Sequence, residues 1–109
     1  MPNLKENLNY PRRMVIYAVF DVLDRMGSRY DQAMTGDIKA EVTVRGHTSL
    51  FAFAVTELSQ NSSILHITMV RAAEGLTIEE KKLAVRYMMD RILHHMAQNT
   101  QTDHSMSGS

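Results

Sequence analysis

The sequence predicts an α+β fold of two layers, in which a three-stranded antiparallel meander is covered on one face by two helices, in the order α-β-β-β-α. Three apolar runs between residues 38 and 71 are separated by polar turns, with one amphipathic helical stripe before them and another after them. The turns are too short for a crossover helix, so consecutive strands should pair antiparallel. Three strands with one apolar face require a cover, and the two helices are the candidates for it.

The three runs differ in their pattern of apolar residues. Residues 38–44 alternate strictly between apolar and polar side chains, which places the apolar groups on one face. Gly46 follows this run and suits the positive φ of a tight turn. Residues 50–55 are apolar on both faces and are predicted to form the central strand. Residues 64–71 direct alternate side chains toward the core and the others toward the opposite face.

Both helices carry recognisable end signals. The first begins at Pro11, whose missing N–H costs nothing in a first turn, and ends at Gly27, which favours the left-handed conformation. The second begins with a capping box, in which Thr77 and Glu80 bond each other's backbone N–H groups, and is predicted to run to about Gln98. Its apolar stripe comprises Val85, Met88, Met89, Ile92 and Met96.

These elements predict a single α+β domain over residues 11–98. Residues 1–10 are polar and are expected to be a flexible N-terminus, and residues 99–109 are expected to be a disordered C-terminal tail. The connection at residues 28–37 is longer than a typical loop, so it is a candidate for a functional segment.

Composition limits the classes of function. The 109 residues include 12 basic and 12 acidic side chains, so no global charge favours nucleic acid. The absence of cysteine excludes disulfides, thiol catalysis and thiolate metal sites, and it fits a cytoplasmic location. No signal segment or membrane-spanning run is recognised, so no membrane partner is expected. The nine methionines are expected to fill the core and interfaces.

No group of residues predicts catalysis, a metal or a cofactor. Asp90 and His94 share a helix face, but they supply only two of the three or four ligands that zinc takes. With His95, they are interpreted as ordinary residues of the last helical turns. His66 lies on the more polar strand face without a recognisable nucleophile or orienting group. We therefore expect no catalytic residue, no metal ligand and no cofactor.

Two basic clusters are candidates for contacts with phosphate. The first comprises Arg12 and Arg13, and the second comprises Lys81, Lys82 and Arg86. Acidic residues lie near each cluster along the chain, so solvated and mutually compensated charge is the favoured interpretation. Nucleic-acid binding through these residues is the alternative.

The element order is similar to that of double-stranded-RNA-binding domains, over about residues 11–96. The segment Glu80-Lys81-Lys82-Leu83-Ala84 resembles the lysine-rich start of their second helix, which implies phosphate contacts by this helix. The chain departs from the family pattern at residues 45–49, where such domains carry a Gly-Pro-x-His-type loop. It also departs in its methionine-rich last helix and its zero net charge. The resemblance therefore implies shared topology rather than shared function.

The sheet face away from the helices is predicted to be flat and mildly polar, and it is a candidate contact surface. Its candidate residues, with one from the second helix, are Thr43, Ala52, Ala54, His66, Thr68 and Met89. A chain of this size has limited capacity to bury two wide helical stripes alone. The favoured function is therefore a non-catalytic protein-interaction or homodimerising module. The alternatives are a nucleic-acid-binding module and a small-ligand binder or enzyme with a site at a dimer interface.

Overall fold

The computed structural model describes residues 2–32 and 36–108, with the side chains of these residues apart from 32 and 99–108. The chain forms five strands and two helices in the order β-α-β-β-β-β-α. Their bounds are β1 Asn3–Leu8, α1 Arg12–Arg25, β2 Arg29–Gln32, β3 Ile38–Val44, β4 His47–Ser59, β5 Ser62–Arg71 and α2 Ile78–Gly108. All strand pairs are antiparallel, and the sheet order is β1-β5-β4-β3-β2.

The α+β class with two helices on an antiparallel sheet is confirmed, whereas the three-stranded meander is incomplete. The predicted meander forms the centre of the sheet as β3, β4 and β5, and β1 and β2 extend it at both edges. The order α-β-β-β-α, which carried the resemblance to double-stranded-RNA-binding domains, is therefore wrong for this chain. Each missed strand is short, and β2 has only four residues, Arg-Tyr-Asp-Gln, without an apolar alternation.

The N-terminal segment, expected to be flexible, is an edge strand. Its residues pair with β5, with Leu4 opposite Ile67 and Leu8 opposite Ser63. Leu4 and Leu8 are its only apolar residues, so the local period-two signal is weak. The strand forms because β5 offers an unpaired row of backbone N–H and C=O groups, which is a tertiary effect that local sequence does not report.

Two of the predicted helix-end signals, Gly27 at the end of α1 and the capping box of α2, are confirmed, whereas α1 begins at Arg12, one residue after Pro11. At the end of α1, Gly27 has a φ of 67°, the Ser28 N–H bonds the Leu23 carbonyl, and the Gly27 N–H bonds the Asp24 carbonyl. These are the two hydrogen bonds of a Schellman motif. At the start of α2, the Thr77 N–H donates to Glu80 Oε1 at 2.9 Å, and the Glu80 N–H donates to Thr77 Oγ1 at 3.1 Å.

The far end of α2 differs from the prediction. The sequence predicts an end near Gln98 and a disordered tail at 99–109, whereas the helical backbone continues to Gly108. The side chains of residues 99–108, and residue 109 entirely, lie outside the described part of the chain.

The core lies between the helices and one face of the sheet. The two helices run antiparallel, since Asp21 of α1 contacts His95 of α2 and Arg25 lines the same cleft as Arg91. The largest fully buried side chains come from both helices, β4 and β5: Phe51, Phe53, Leu23, Leu65, Ile67, Met69, Met88, Met89, Ile92, Val15, Val19 and Val22.

The pairing of β1 can be tested by truncating one of its side chains. Leu8 is 8% exposed, so Leu8→Ala should lower the free energy of unfolding by about 2–3 kcal/mol. Asn7→Ala, at the adjacent exposed position, should change it by less than about 0.5 kcal/mol. Urea denaturation of both variants measures the difference. Equal and small effects would mean that the segment is not docked on β5.

Candidate functional site

Both described helices pack on one side of the sheet, and the strand residues that point the other way form what we call the open face. Alternation along each strand assigns its members. They are Asn3, Lys5 and Asn7 of β1, Ile64, His66, Thr68 and Val70 of β5, Leu50, Ala52, Ala54 and Thr56 of β4, Lys39, Glu41 and Thr43 of β3, and Arg29 and Asp31 of β2. Arg71 of β5 joins them, because a register shift after Met69 pairs it with Leu50.

Four of the predicted interface residues meet at the centre of the open face. Ala52 is paired with Thr68, and Ala54 is paired with His66. His66 Nε2 lies 3.1 Å from Asn3 Oδ1 and 3.5 Å from Thr68 Oγ1, so neighbouring strands hold the imidazole in place. The centre is thus low and flat, with two alanine methyl groups beside a positioned histidine.

The other two predicted interface residues lie elsewhere. Thr43 is on the open face but near the β3–β4 turn, where its hydroxyl lies 2.7 Å from that of Thr48. Met89 has no exposed surface and belongs to the hydrophobic core, so its assignment to a surface was wrong. Because Met89 lies in the apolar stripe of α2, its side chain packs in the core of the domain and not on its surface.

Charged side chains flank the centre of the open face. Arg71 of β5 and Glu41 of β3 lie on either side of Leu50 and form an ion pair of 3.6 Å across it. Both side chains are more than half exposed, so solvent screens the pair and its contribution to stability is small. The positive charge of Arg71 on β5 and the negative charge of Glu41 on β3 therefore lie on opposite sides of β4.

A second candidate site lies on the helix side, between the β3–β4 turn and the first half of α2. We call it the hairpin groove. It has a volume of about 250 Å³ and an apolar floor formed by Val44, Phe51, Leu76, Leu83 and Ala84. The polar groups around the floor are Arg45, His47, Ser49, Glu80, Arg86, Tyr87 and Asp90. The mixture of a mostly apolar surface with a few polar groups is typical of small-molecule sites.

Three of the four charged groups around the groove already have partners. Glu80 accepts from Thr77 in the capping box, and this backbone hydrogen bond, with the Thr77 hydroxyl next, lowers the pKa of the Glu80 carboxyl. Arg86 lies 3.8 Å from both Glu6 and Asp90. Within the described part of the chain, Arg45 has neither a hydrogen bond nor an ion pair.

Arg45 also has an unusual backbone conformation. Its φ is 52°, and it is the one non-glycine residue with a positive φ among those described. Gly46 follows with a φ of 82°, so the two residues form a tight hairpin turn of the kind in which Asn-Gly is preferred. A non-glycine residue in this region costs about 1–3 kcal/mol, and such residues cluster at functional positions. Arg45 is not among the site residues predicted from the sequence, although an Arg-Gly pair between two strands is a detectable signal of an unusual turn.

The structure does not bring the two basic clusters together. The Arg12 Nε–H donates to the Val55 carbonyl at 2.9 Å, so this guanidinium is bound to the backbone of β4. Arg12 lies nine residues before Asp21 in α1, and Lys81 lies fourteen residues before His95 in α2. Because the helices are antiparallel, these groups are separated by roughly 30 Å along the helix axes. Arg13 and Lys82 are exposed at the same opposite ends.

The histidines near the end of α2 have structural contacts. His95 is 5% exposed, and its Nε2 lies 3.2 Å from Asp21 Oδ2 between the helices. His94 is exposed and lines a cleft with Arg25 and Arg91. No three histidine, aspartate or glutamate residues group closely enough to hold a metal ion in the described ranges.

The long connection at 28–37 contains β2, and residues 33–35 lie outside the described part. Tyr30 of β2 stacks on Phe20 with ring centroids 5.3 Å apart and donates its hydroxyl to Asp24 at 2.9 Å. This hydrogen bond to a carboxylate is the main cause of the raised pKa of Tyr30. The contacts fasten β2 to α1. No helix within the described residues has the length and apolar character needed to cross a membrane.

Comparison with known proteins identifies a similar fold. No protein-family model matches the chain, and no curated protein sequence matches it. The fold is similar to that of a chain in the crystal structure of the adenylate sensor from AMP-activated protein kinase in complex with 5-aminoimidazole-4-carboxamide 1-beta-D-ribofuranotide (ZMP). The TM-score is 0.61 at 10% sequence identity, over 84% of this chain and 93% of that chain. At this identity the similarity shows the fold alone.

The conformation of Arg45 leads to a stability prediction. Arg45→Asn should raise the free energy of unfolding by roughly 0.5–1 kcal/mol, because asparagine adopts a positive φ more readily. Arg45→Lys keeps the β-carbon and the charge, so its stability should equal that of the wild type. Chemical denaturation measures both values, and an Asn variant no more stable than the wild type would show that the turn is unstrained.

Proposed function

We propose that the chain is a non-catalytic protein-interaction module that forms a homodimer through the open face of its sheet. The observation that carries the proposal is the one-sided cover: both described helices pack on the same face of a five-stranded sheet. The opposite face has an apolar centre of small residues that no described element covers. An antiparallel sheet can leave its second face in solvent, and it can also pack that face against a second sheet.

The shape of the open face supports a second sheet as its occupant. Ala52 is 9% exposed and is surrounded by half-buried neighbours, including Ala54 and Thr68. Small side chains let two sheets approach to about 10 Å, the usual spacing of face-to-face sheets. His66 and Thr68, beside the two alanines, offer hydrogen-bonding groups within the contact, and interfaces typically contain such groups.

The charge arrangement supports a second copy of this chain. The strands β5 and β3 flank β4 in the sheet. A copy related by a twofold axis parallel to β4 therefore exchanges their positions and sets Arg71 against Glu41 of the partner subunit. An isologous contact of this kind repeats the same complementary pair twice. This one charge pair supports a second copy of the chain as the occupant of the open face.

The dimer is tested by sedimentation equilibrium over a micromolar concentration range. The wild type should dimerise, and Ala54→Arg should raise the dissociation constant about a hundredfold or more, because it buries an unpaired charge at the centre of the contact. Tyr17→Arg is the matched control. Tyr17 is 59% exposed on α1, away from the open face, so adding the same charge there should leave the dissociation constant unchanged.

Reversing the charges of Arg71 and Glu41 distinguishes a lost contact between subunits from a loss of folding. Arg71→Glu and Glu41→Arg should each weaken the dimer by roughly a few-fold, and the double variant should restore it, as expected for rim charges. Circular dichroism checks that each variant is folded. A wild type that sediments as a monomer throughout the range overturns the proposal, as does an equal effect of Ala54→Arg and Tyr17→Arg.

A further inference from the structure

We propose that the hairpin groove binds a small organic anion, with an apolar body against α2 and a carboxylate against Arg45. The groove lies on the helix side of the sheet, so this site is separate from the dimer contact proposed above. Three observations carry the inference: the apolar floor, the chemistry of the polar groups around it, and the conformation of Arg45.

The groove has room and exposed apolar surface for the body of a small ligand. Its volume of about 250 Å³ lies close to the lower end of ligand pockets. Leu83 is 55% exposed and Tyr87 is 41% exposed, one helical turn apart along the same wall. Both contribute to the lining, and a flat apolar group placed there would cover surface that water now contacts.

Three polar groups around the floor have protons to donate. The Ser49 hydroxyl accepts from the Ala73 N–H at 2.9 Å and retains its own proton to donate. The Tyr87 hydroxyl accepts from Arg91 at 2.8 Å and likewise retains its proton. Arg45 adds a guanidinium with no partner in the described residues. A ligand that suits these three groups must be an acceptor, and a carboxylate matches the guanidinium in charge and geometry.

The acids of the groove do not favour a cation instead. Glu80 accepts the Thr77 N–H at the N-terminus of α2, where the helix dipole also compensates its charge. Asp90 lies 3.8 Å from Arg86. The lining thus holds two guanidinium groups and two carboxylates, and Arg45 is the one of these four groups without a partner among the described residues, so an anion fits beside it.

The backbone of Arg45 indicates that its side chain has a function. A two-residue turn with positive φ at both positions strongly prefers asparagine, aspartate or glycine at the first position. The chain has arginine there instead, at a φ of 52°. Strained backbone conformations cluster at ligand-binding positions, and Arg45 lines the groove in which its guanidinium would bind the carboxylate.

Two probes of the same shape separate the contribution of the ligand's charge to the affinity from that of its apolar body. We would titrate the labelled protein with 2-naphthoate and, separately, with the neutral 2-naphthamide, and record amide NMR shifts. Shifts from naphthoate should cluster at residues 45–49 and 83–87. Naphthoate should bind about tenfold more tightly than naphthamide, as expected for one charge-assisted contact.

Three variants assign the contact to Arg45. Arg45→Asn should reduce the affinity for naphthoate about tenfold and leave that for naphthamide unchanged. Arg45→Lys should retain part of the affinity, since it keeps the positive charge but loses the two parallel donors of the guanidinium. Arg13→Gln removes an exposed arginine from the opposite end of the domain and should have no effect. The Asn variant is expected to fold at least as well as the wild type, so a lost interaction is not confused with unfolding.

Four outcomes would overturn the inference. Naphthoate and naphthamide could bind with equal affinity, Arg45→Asn could leave naphthoate binding unchanged, or the shifts could fall outside the groove. The absence of binding by either probe at millimolar concentration would equally contradict it. None of these outcomes bears on the dimer, which is read from sedimentation.

Discussion

The burial of one face of β4 and β5 beneath the two helices is the interaction on which the rest of the structure depends. Phe51 and Phe53 of β4 and Ile67 of β5 have no exposed surface. Burial of apolar surface at about 25 cal/mol per Å² is the main favourable term in folding. The strands at the two edges of the sheet contribute few apolar groups, and they form because the central strands offer them hydrogen-bonding partners. The same one-sided burial leaves the open face free, since both helices are used on the other side.

Local signals in the sequence predicted the elements that local physics determines. The strict alternation of residues 38–44, the Thr77 and Glu80 capping box and the glycine at 27 each act over a few residues. The edge strand β1 could not be predicted in this way, because its formation depends on a distant strand. Met89 illustrates a related limit: an apolar stripe predicts that a residue is buried, but not whether the domain or a second chain buries it.

The candidate sites likewise differ in whether they depend on local sequence or on contacts between distant residues. Alternation was enough to place Ala52, Ala54, His66 and Thr68 on one face, and pairing of β4 with β5 brings them together. The basic residues were selected by their closeness along the chain, which does not report that antiparallel helices set them at opposite ends of the domain. Arg45 was detectable only as a conflict between a residue and its turn. Such local conflicts are expected at functional positions, where stability is exchanged for binding.

The pairing of β1 with β5 has a consequence for the order of folding. The hairpins β3–β4 and β4–β5 join strands that are neighbours in sequence, whereas β1 must close a loop that includes α1 and three strands. Because the entropy of loop closure must be spent before a distant contact forms, sequence-local hairpins have the kinetic advantage. We therefore expect the sheet to form from its centre, with β1 docking after the hairpins that it completes.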